Sequence, residues 1–93
     1  MIELSDGYTI LTKDGCKWCV KVKELLPDAK YIVCNIPRDA SEEREAFFKE
    51  VDALSGTAPR TFPMVFYNKR FIGGYVQTKN KIDAELTFDS VYF

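Results

Sequence analysis

The chain has 93 residues, with 13 Lys and Arg against 14 Asp and Glu, a net charge of −1, three cysteines and no histidine. So even a charge balance argues against recruitment to nucleic acid or to a membrane surface by bulk charge. With 46% hydrophobic and 14% aromatic residues, the chain can bury one modest core and no more, so residues 1–93 are expected to form a single domain.

The opening Met1-Ile2-Glu3-Leu4-Ser5-Asp6 carries neither the basic region nor the long apolar run of a secretory signal. No segment approaches the roughly 20 apolar residues needed to span a bilayer. Two of the three cysteines stand close together, a usage that suits a reducing compartment. A cytoplasmic monomer with no nucleic-acid and no membrane partner is the expectation.

Tyr8–Thr12 reads as a short buried strand, and Lys13-Asp14-Gly15 as a turn. Val20 to Leu26 has helical spacing, with Val22, Leu25 and Leu26 on one face, and Pro27 stops it. Lys30 to Ile36 is rich in strand formers and closes at Pro37; Cys34 within it reads as a small core residue. Asp39 with Glu42 three residues on reads as a capping box. Phe47, Val51 and Leu54 follow at helical spacing, and Ser55-Gly56 ends that helix. Met64–Tyr67 and Arg70–Ile72 flank Asn68-Lys69, the pattern of a β-hairpin whose turn requires positive φ. Gly73-Gly74 breaks the second strand. Thr78 to Leu86 reads as a last helix with Ile82 and Leu86 on one face, and Phe88, Val91, Tyr92 and Phe93 as core packing behind it.

The order β-α-β-α-β-β-α implies an α/β domain. A parallel pair comes first, a hairpin adds two antiparallel strands, and one mixed four-stranded sheet is flanked by helices.

Chemistry enters at Cys16-Lys17-Trp18-Cys19, between the first strand and the first helix. There, free backbone N–H groups and the helix dipole favour thiolate over thiol. One sulfur can attack and the other resolve. A structural zinc site wants about four Cys or His ligands, and this chain has too few to complete one. A purely structural Cys16–Cys19 disulfide would close too small a loop to constrain the unfolded chain much. A redox dithiol explains the pair best.

In this topology the motif resembles the thioredoxin superfamily, and three landmarks make the chain similar to glutaredoxins. They are Lys13, three residues before Cys16; Thr61-Phe62-Pro63, which resembles the Thr-Val-Pro motif; and Phe71-Ile72-Gly73-Gly74-Tyr75, which resembles the Phe-Ile-Gly-Gly segment. Thr57-Ala58-Pro59 also looks like Thr-Val-Pro. In the family, however, the strand follows the proline directly, with the Gly-Gly pair about ten residues on, which selects Pro63.

The resemblance implies a thioredoxin-like fold and an enzyme of electron transport: a glutathione-dependent thiol–disulfide oxidoreductase with no bound cofactor. Glutathione is its co-substrate. Its partners are disulfide-bonded or glutathionylated proteins, with ribonucleotide reductase among them by family analogy. It implies Cys16 as nucleophile and Cys19 as resolving thiol. A cis bond before Pro63 would present the Phe62 backbone to the glutathione cysteine. The N–H groups of Gly74 and Tyr75 would hold the γ-glutamyl carboxylate, and Lys13, Arg38 and Arg60 are candidates for the glycyl carboxylate.

The chain also departs from the family pattern. Lys17-Trp18 stands where Pro-Tyr is usual: Trp18 keeps an aromatic beside the thiols, and Lys17 adds a charge that stabilises the Cys16 thiolate. Val76-Gln77-Thr78 offers no aspartate to the γ-glutamyl amine, leaving Gln77 as a neutral substitute. Two rival readings follow. One is a glutaredoxin-like redoxin reduced by thioredoxin reductase. The other is an iron–sulfur carrier in which Cys16 of two subunits and two glutathiones share a [2Fe–2S] cluster, a reading that Cys19 disfavours.

Overall fold

In the computed structural model, which describes residues 2–37 and 39–92 with side chains through residue 85, the seven elements follow the expected order. They are β1 (Tyr8–Thr12), α1 (Lys17–Leu25), β2 (Lys30–Val33), α2 (Ser41–Ser55), β3 (Met64–Tyr67), β4 (Arg70–Gly73) and α3 (Tyr75–Tyr92). One mixed sheet runs β2-β1-β3-β4, with β1 and β2 parallel and the other pairs antiparallel. This is the thioredoxin-like architecture read from the sequence. None of its helices is long and apolar enough, over the described residues, to cross a membrane.

Alternation along β1 divides the core in two, because successive side chains leave opposite faces of a strand. Ile10 packs with Val22 of α1 and Val65 of β3, and Tyr75 at the start of α3 joins that cluster. Leu11 packs on the other face with Val51 of α2, Met64 and Phe66. All seven of the strand and helix side chains at these two centres, Tyr75 apart, are fully buried. Full burial of a residue such as Val22 is worth about 1.5–3 kcal/mol. The fold thus puts α1 and the start of α3 on one face and α2 on the other.

Element ends differ from the sequence reading for local reasons. Strand β2 stops at Val33, not Ile36, because its partner runs out: Thr12 opposes Val33, and the Cys34 N–H makes the last bond, to the Thr12 carbonyl at 2.7 Å. Cys34 therefore lies just past the strand, half-buried against the α2-side cluster. The Asp39–Glu42 capping box does not form. The Ala40 N–H bonds the Pro37 carbonyl, and Ala40 becomes the cap with no side-chain bond. Leu54 is 37% exposed, so α2 faces the sheet through Phe47 and Val51 instead. Gly56 ends the helix at φ 73°, as a left-handed cap.

The hairpin turn has the positive φ that its two-residue length demands, 49° at Asn68 and 70° at Lys69. Helix α3 starts three residues before the expected Thr78. The Thr78 N–H and hydroxyl both donate to the Gly74 carbonyl, at 3.1 and 2.8 Å, so Thr78 closes the first turn and does not open the helix. The packing expected of Leu86, Phe88, Val91, Tyr92 and Phe93 falls outside the described side chains.

Candidate active site

The Lys13-Asp14-Gly15 turn is held by a reciprocal pair. The Asp14 N–H donates to the Asn35 side-chain oxygen at 2.9 Å, and the Asn35 amide donates back to the Asp14 carboxylate at 2.8 Å. Gly15, at φ 73°, then turns the chain into α1. Cys16 lands at the N-cap, with extended φ and ψ, and its sulfur accepts the Cys19 N–H at 3.2 Å. An N-cap normally uses a hydroxyl or carboxylate oxygen to satisfy an orphan helix N–H. Here a sulfur does so, and the same N–H that caps the helix can stabilise negative charge on that sulfur.

Cys16 and Cys19 are disulfide-bonded, with Cα atoms 5.2 Å apart. Cys16 is partly exposed, whereas Cys19 is 3% exposed. Only the first sulfur is therefore open to a bulky partner, and the second sits directly behind it.

The Phe62–Pro63 peptide bond is cis. The Phe62 carbonyl oxygen lies 3.6 Å from the Cys16 sulfur, so the dithiol and the cis-proline loop meet. Gly74 completes the junction, since a Cβ there would stand 3.5 Å from the Pro63 carbonyl oxygen. The start of α3 therefore rests beside the proline. Trp18 is 47% exposed, its ring 5.4 Å from that of Tyr75. A groove of about 340 Å³ runs along this seam, lined by Trp18, Thr61, Phe62, Pro63 and the stretch from Gly74 to Gln77.

A second hollow, of about 400 Å³, opens on the α2 side of Phe62, where Lys13, Cys34, Asn35, Arg44, Phe48 and Arg60 are among its lining residues. The Lys13 ammonium stands 5.7 Å from the centre of the Phe62 ring. Phe62 belongs to both hollows, which makes it the partition between them.

The site residues read from the sequence thus fall into two sets. Trp18, Phe62, Pro63, Gly74, Tyr75 and Gln77 meet in the groove, and Lys13 and Arg60 meet in the second hollow. Lys17 is exposed at the first position of α1, and Arg38 lies outside the described residues. Two of these side chains carry bonds that the sequence did not suggest. The Arg60 guanidinium grips the Asp52 carboxylate with both ends, at 2.8 and 3.0 Å, and sits 4.6 Å over the Phe48 ring. Its hydrogen bonds hold the Asp52 carboxyl below the usual carboxylate range. The Gln77 side-chain oxygen accepts the Gly74 N–H at 3.0 Å. Arg44 and Phe48 were missed as lining residues. Their spacing on α2 is that of any half-solvated helix face, and only the approach of Phe62 gives them a site to line.

Among the described residues, no group of three His, Cys, Asp or Glu side chains is placed to hold a metal ion.

The glutaredoxin family profile matches residues 8–72, a span that includes the dithiol, the cis-proline and most of β4. No curated protein matches the chain. Among solved structures, glutaredoxin 1 from Francisella tularensis, in complex with cacodylate, is similar at 22% identity and a TM-score of 0.70, over 87% of this chain and 96% of that one. Reduced Escherichia coli glutaredoxin is similar at 25% identity and 0.58, over 87% and 98%. A buckwheat glutaredoxin–glutathione complex is similar at 24% identity and 0.57, over 88% and 74%.

Proposed function

The chain belongs to the glutaredoxin family and is a disulfide oxidoreductase of that type, and from this premise we propose that its reductant is glutathione. We propose that it acts on glutathione mixed disulfides and on protein disulfides. The observation that carries this reading is the position of the Cys16 sulfur, at the cap of α1 and 3.6 Å from the carbonyl of the residue before a cis-proline.

In the mixed-disulfide reaction, the Cys16 thiolate attacks the glutathione sulfur of a glutathionylated protein. The protein leaves as a thiolate and Cys16 carries the glutathionyl group. A second glutathione thiolate attacks that group, releasing oxidised glutathione and restoring Cys16. With a protein disulfide, Cys16 forms the mixed disulfide with one sulfur of the partner. Cys19 then attacks Cys16, the partner leaves reduced, and two glutathiones later reduce the Cys16–Cys19 bond. Cys19 needs no exposure for this, because its only target is the sulfur in front of it.

Glutathione would lie across Phe62. Its cysteine pairs with the Phe62 backbone, beside Trp18. The glycyl carboxylate reaches Lys13, with Arg60 lining the same hollow while paired to Asp52. At the other end, the N–H groups of Gly74 and Tyr75 receive the γ-glutamyl carboxylate once the Gln77 oxygen has moved off Gly74, and the freed amide can then accept from the γ-glutamyl ammonium. Lys17 supports the Cys16 thiolate by its charge. Protein partners are disulfide-bonded or glutathionylated proteins, with ribonucleotide reductase a candidate by family analogy, and the setting is a cytoplasmic monomer.

The Gln77–Gly74 bond also favours a second reading, a redoxin reduced by thioredoxin reductase, because it occupies a donor that glutathione would use. Turnover of a glutathione mixed disulfide, run in parallel with glutathione plus its reductase and with thioredoxin reductase, decides between them. Activity with the first system is expected, and activity only with the second would overturn the proposal.

A further inference from the structure

The groove beside the dithiol has an apolar lip that stands exposed among the described residues. Trp18 is 47% exposed and Val76 57% exposed, although large apolar side chains clustered at a surface commonly mark an interaction site. Among the described residues, no carboxylate lines this groove. Among the described residues, Lys13, Lys17 and Lys21 form no ion pair. The Lys21 ammonium is 5.4 Å from the centre of the Trp18 ring, so charge and apolar surface share one flank of the groove.

Most of the negative charge lies elsewhere. Residues 13–23 hold four lysines and one aspartate in a chain of net charge −1, so the remainder is acidic. Asp14, held by Asn35, is the one carboxylate within residues 13–23, and Glu24 stands at the far end of α1 from Cys16. The α3 acids Asp83 and Glu85 pair with Lys79 and Lys81 on their own helix. Helix α2, with Glu42 and Glu43 in its first turn, covers the opposite face of the sheet. Helix α1 itself carries Lys17, Lys21 and Lys23 against Glu24 alone, and the dithiol opens at the lysine-bearing start of that helix.

We propose that this surface selects protein disulfides carried on acidic segments. Carboxylates flanking the partner's disulfide meet Lys17 and Lys21, and an apolar side chain next to its cysteine seats between Trp18 and Val76. The proposal deepens the oxidoreductase reading and rests on it, but does not depend on glutathione as the reductant. In the docked reaction the protein dithiol is oxidised to the Cys16–Cys19 disulfide and the partner disulfide is reduced to two thiols, so electrons balance within the pair. Charges at such a rim act chiefly on the association rate and are screened by salt.

The test uses pre-reduced protein and three peptides, each closed by one internal disulfide. The first carries Leu beside a cysteine and two flanking Glu. The second carries Lys in place of the Glu, and the third carries Ser in place of the Leu. Oxidation of the protein is followed by the fluorescence of Trp18, the only tryptophan of the chain, with hydroxyethyl disulfide as a small neutral control. The Glu peptide should react about tenfold faster than the Lys peptide at low salt, a ratio in keeping with two exposed charge pairs. Salt at about 0.5 M should bring the two rates together, Lys21→Glu should narrow the low-salt ratio severalfold, and the Ser peptide should be slower than its Leu parent. Equal low-salt rates for the Glu and Lys peptides, or a ratio unmoved by salt and by Lys21→Glu, would overturn the docking surface. Failure with the peptides while hydroxyethyl disulfide still oxidises the protein would also overturn it. Failure with hydroxyethyl disulfide as well would overturn the oxidoreductase reading itself.

Discussion

Gln77 reaches back one turn to accept the N–H of Gly74, at 3.0 Å. Gly73 makes room for this: at φ 127° and without a Cβ it lets the Gln77 side chain lie within 2.7 Å of where a Cβ would be. The bond is half of a capping box, with a glutamine at the third helical position satisfying the cap residue's donor. It also competes with any carboxylate that needs the same N–H. Gln77→Ala should therefore lower the apparent KM for a glutathione mixed disulfide by about twofold to fivefold, the freed Gly74 N–H outweighing the weak neutral acceptor that the amide offers the γ-glutamyl ammonium. The lost cap should cost about 0.5–1 kcal/mol, read as a fall in Tm. A rise in KM would show that the amide serves mainly as a ligand.

The exposure difference between the two cysteines assigns their roles. Cys16→Ser should abolish turnover of both mixed disulfides and protein disulfides. Cys19→Ser should keep deglutathionylation and lose reduction of protein disulfides, since nothing then resolves the intermediate. Rates of the two single variants on both substrates check this, and equal loss of deglutathionylation in both would refute it.

Cys34 should be the slow thiol of the reduced protein. Burial pushes its thiol pKa up, which keeps it protonated and unreactive through neutral pH. Treatment with iodoacetamide at pH 7, followed by mass spectrometry of peptides, should find Cys16 modified first and Cys34 last. The Cys34 rate should climb only as pH passes above the ordinary thiol range.

Asp52 and Arg60 predict a local acid response. Hydrogen bonds from Arg60 lower the Asp52 pKa, so the pair contributes stability above the ordinary carboxylate pKa and loses it as pH falls through the lowered value. Titration of its side-chain carboxyl signal by NMR should find Asp52 protonating below the ordinary carboxylate range. Arg60→Ala should return it to the ordinary range, and an unchanged titration in that variant would contradict the pairing.

What could be read in the sequence was local. Strand β1 has the limits its composition gave, and the Asn68-Lys69 turn has its expected dihedrals, because alternation and turn chemistry act over a few residues. The cis bond at Pro63 came from family spacing, and nothing local distinguishes Pro63 from Pro59. What could not be read was set by partners distant in the chain. Strand β2 is shorter than its composition because Thr12 is the last residue able to pair with it. Arg60, read as a free cation for a ligand, is claimed by Asp52 from the helix before it. The start of α3 was hidden because Gly-Gly reads as a break, yet Gly74 is the cap from which the helix begins.

Strand β3 leads directly from the cis-proline to the hairpin turn, and that fixes how the molecule can be held. At roughly 3.3 Å per residue, Asn68 and Lys69 stand on the order of 20 Å from Phe62, and both are exposed. A surface linkage made through the Lys69 amine would anchor the protein by the end remote from its sulfurs. Both hollows beside Phe62 would then face solution, the orientation that an electrode or a substrate-capture column requires.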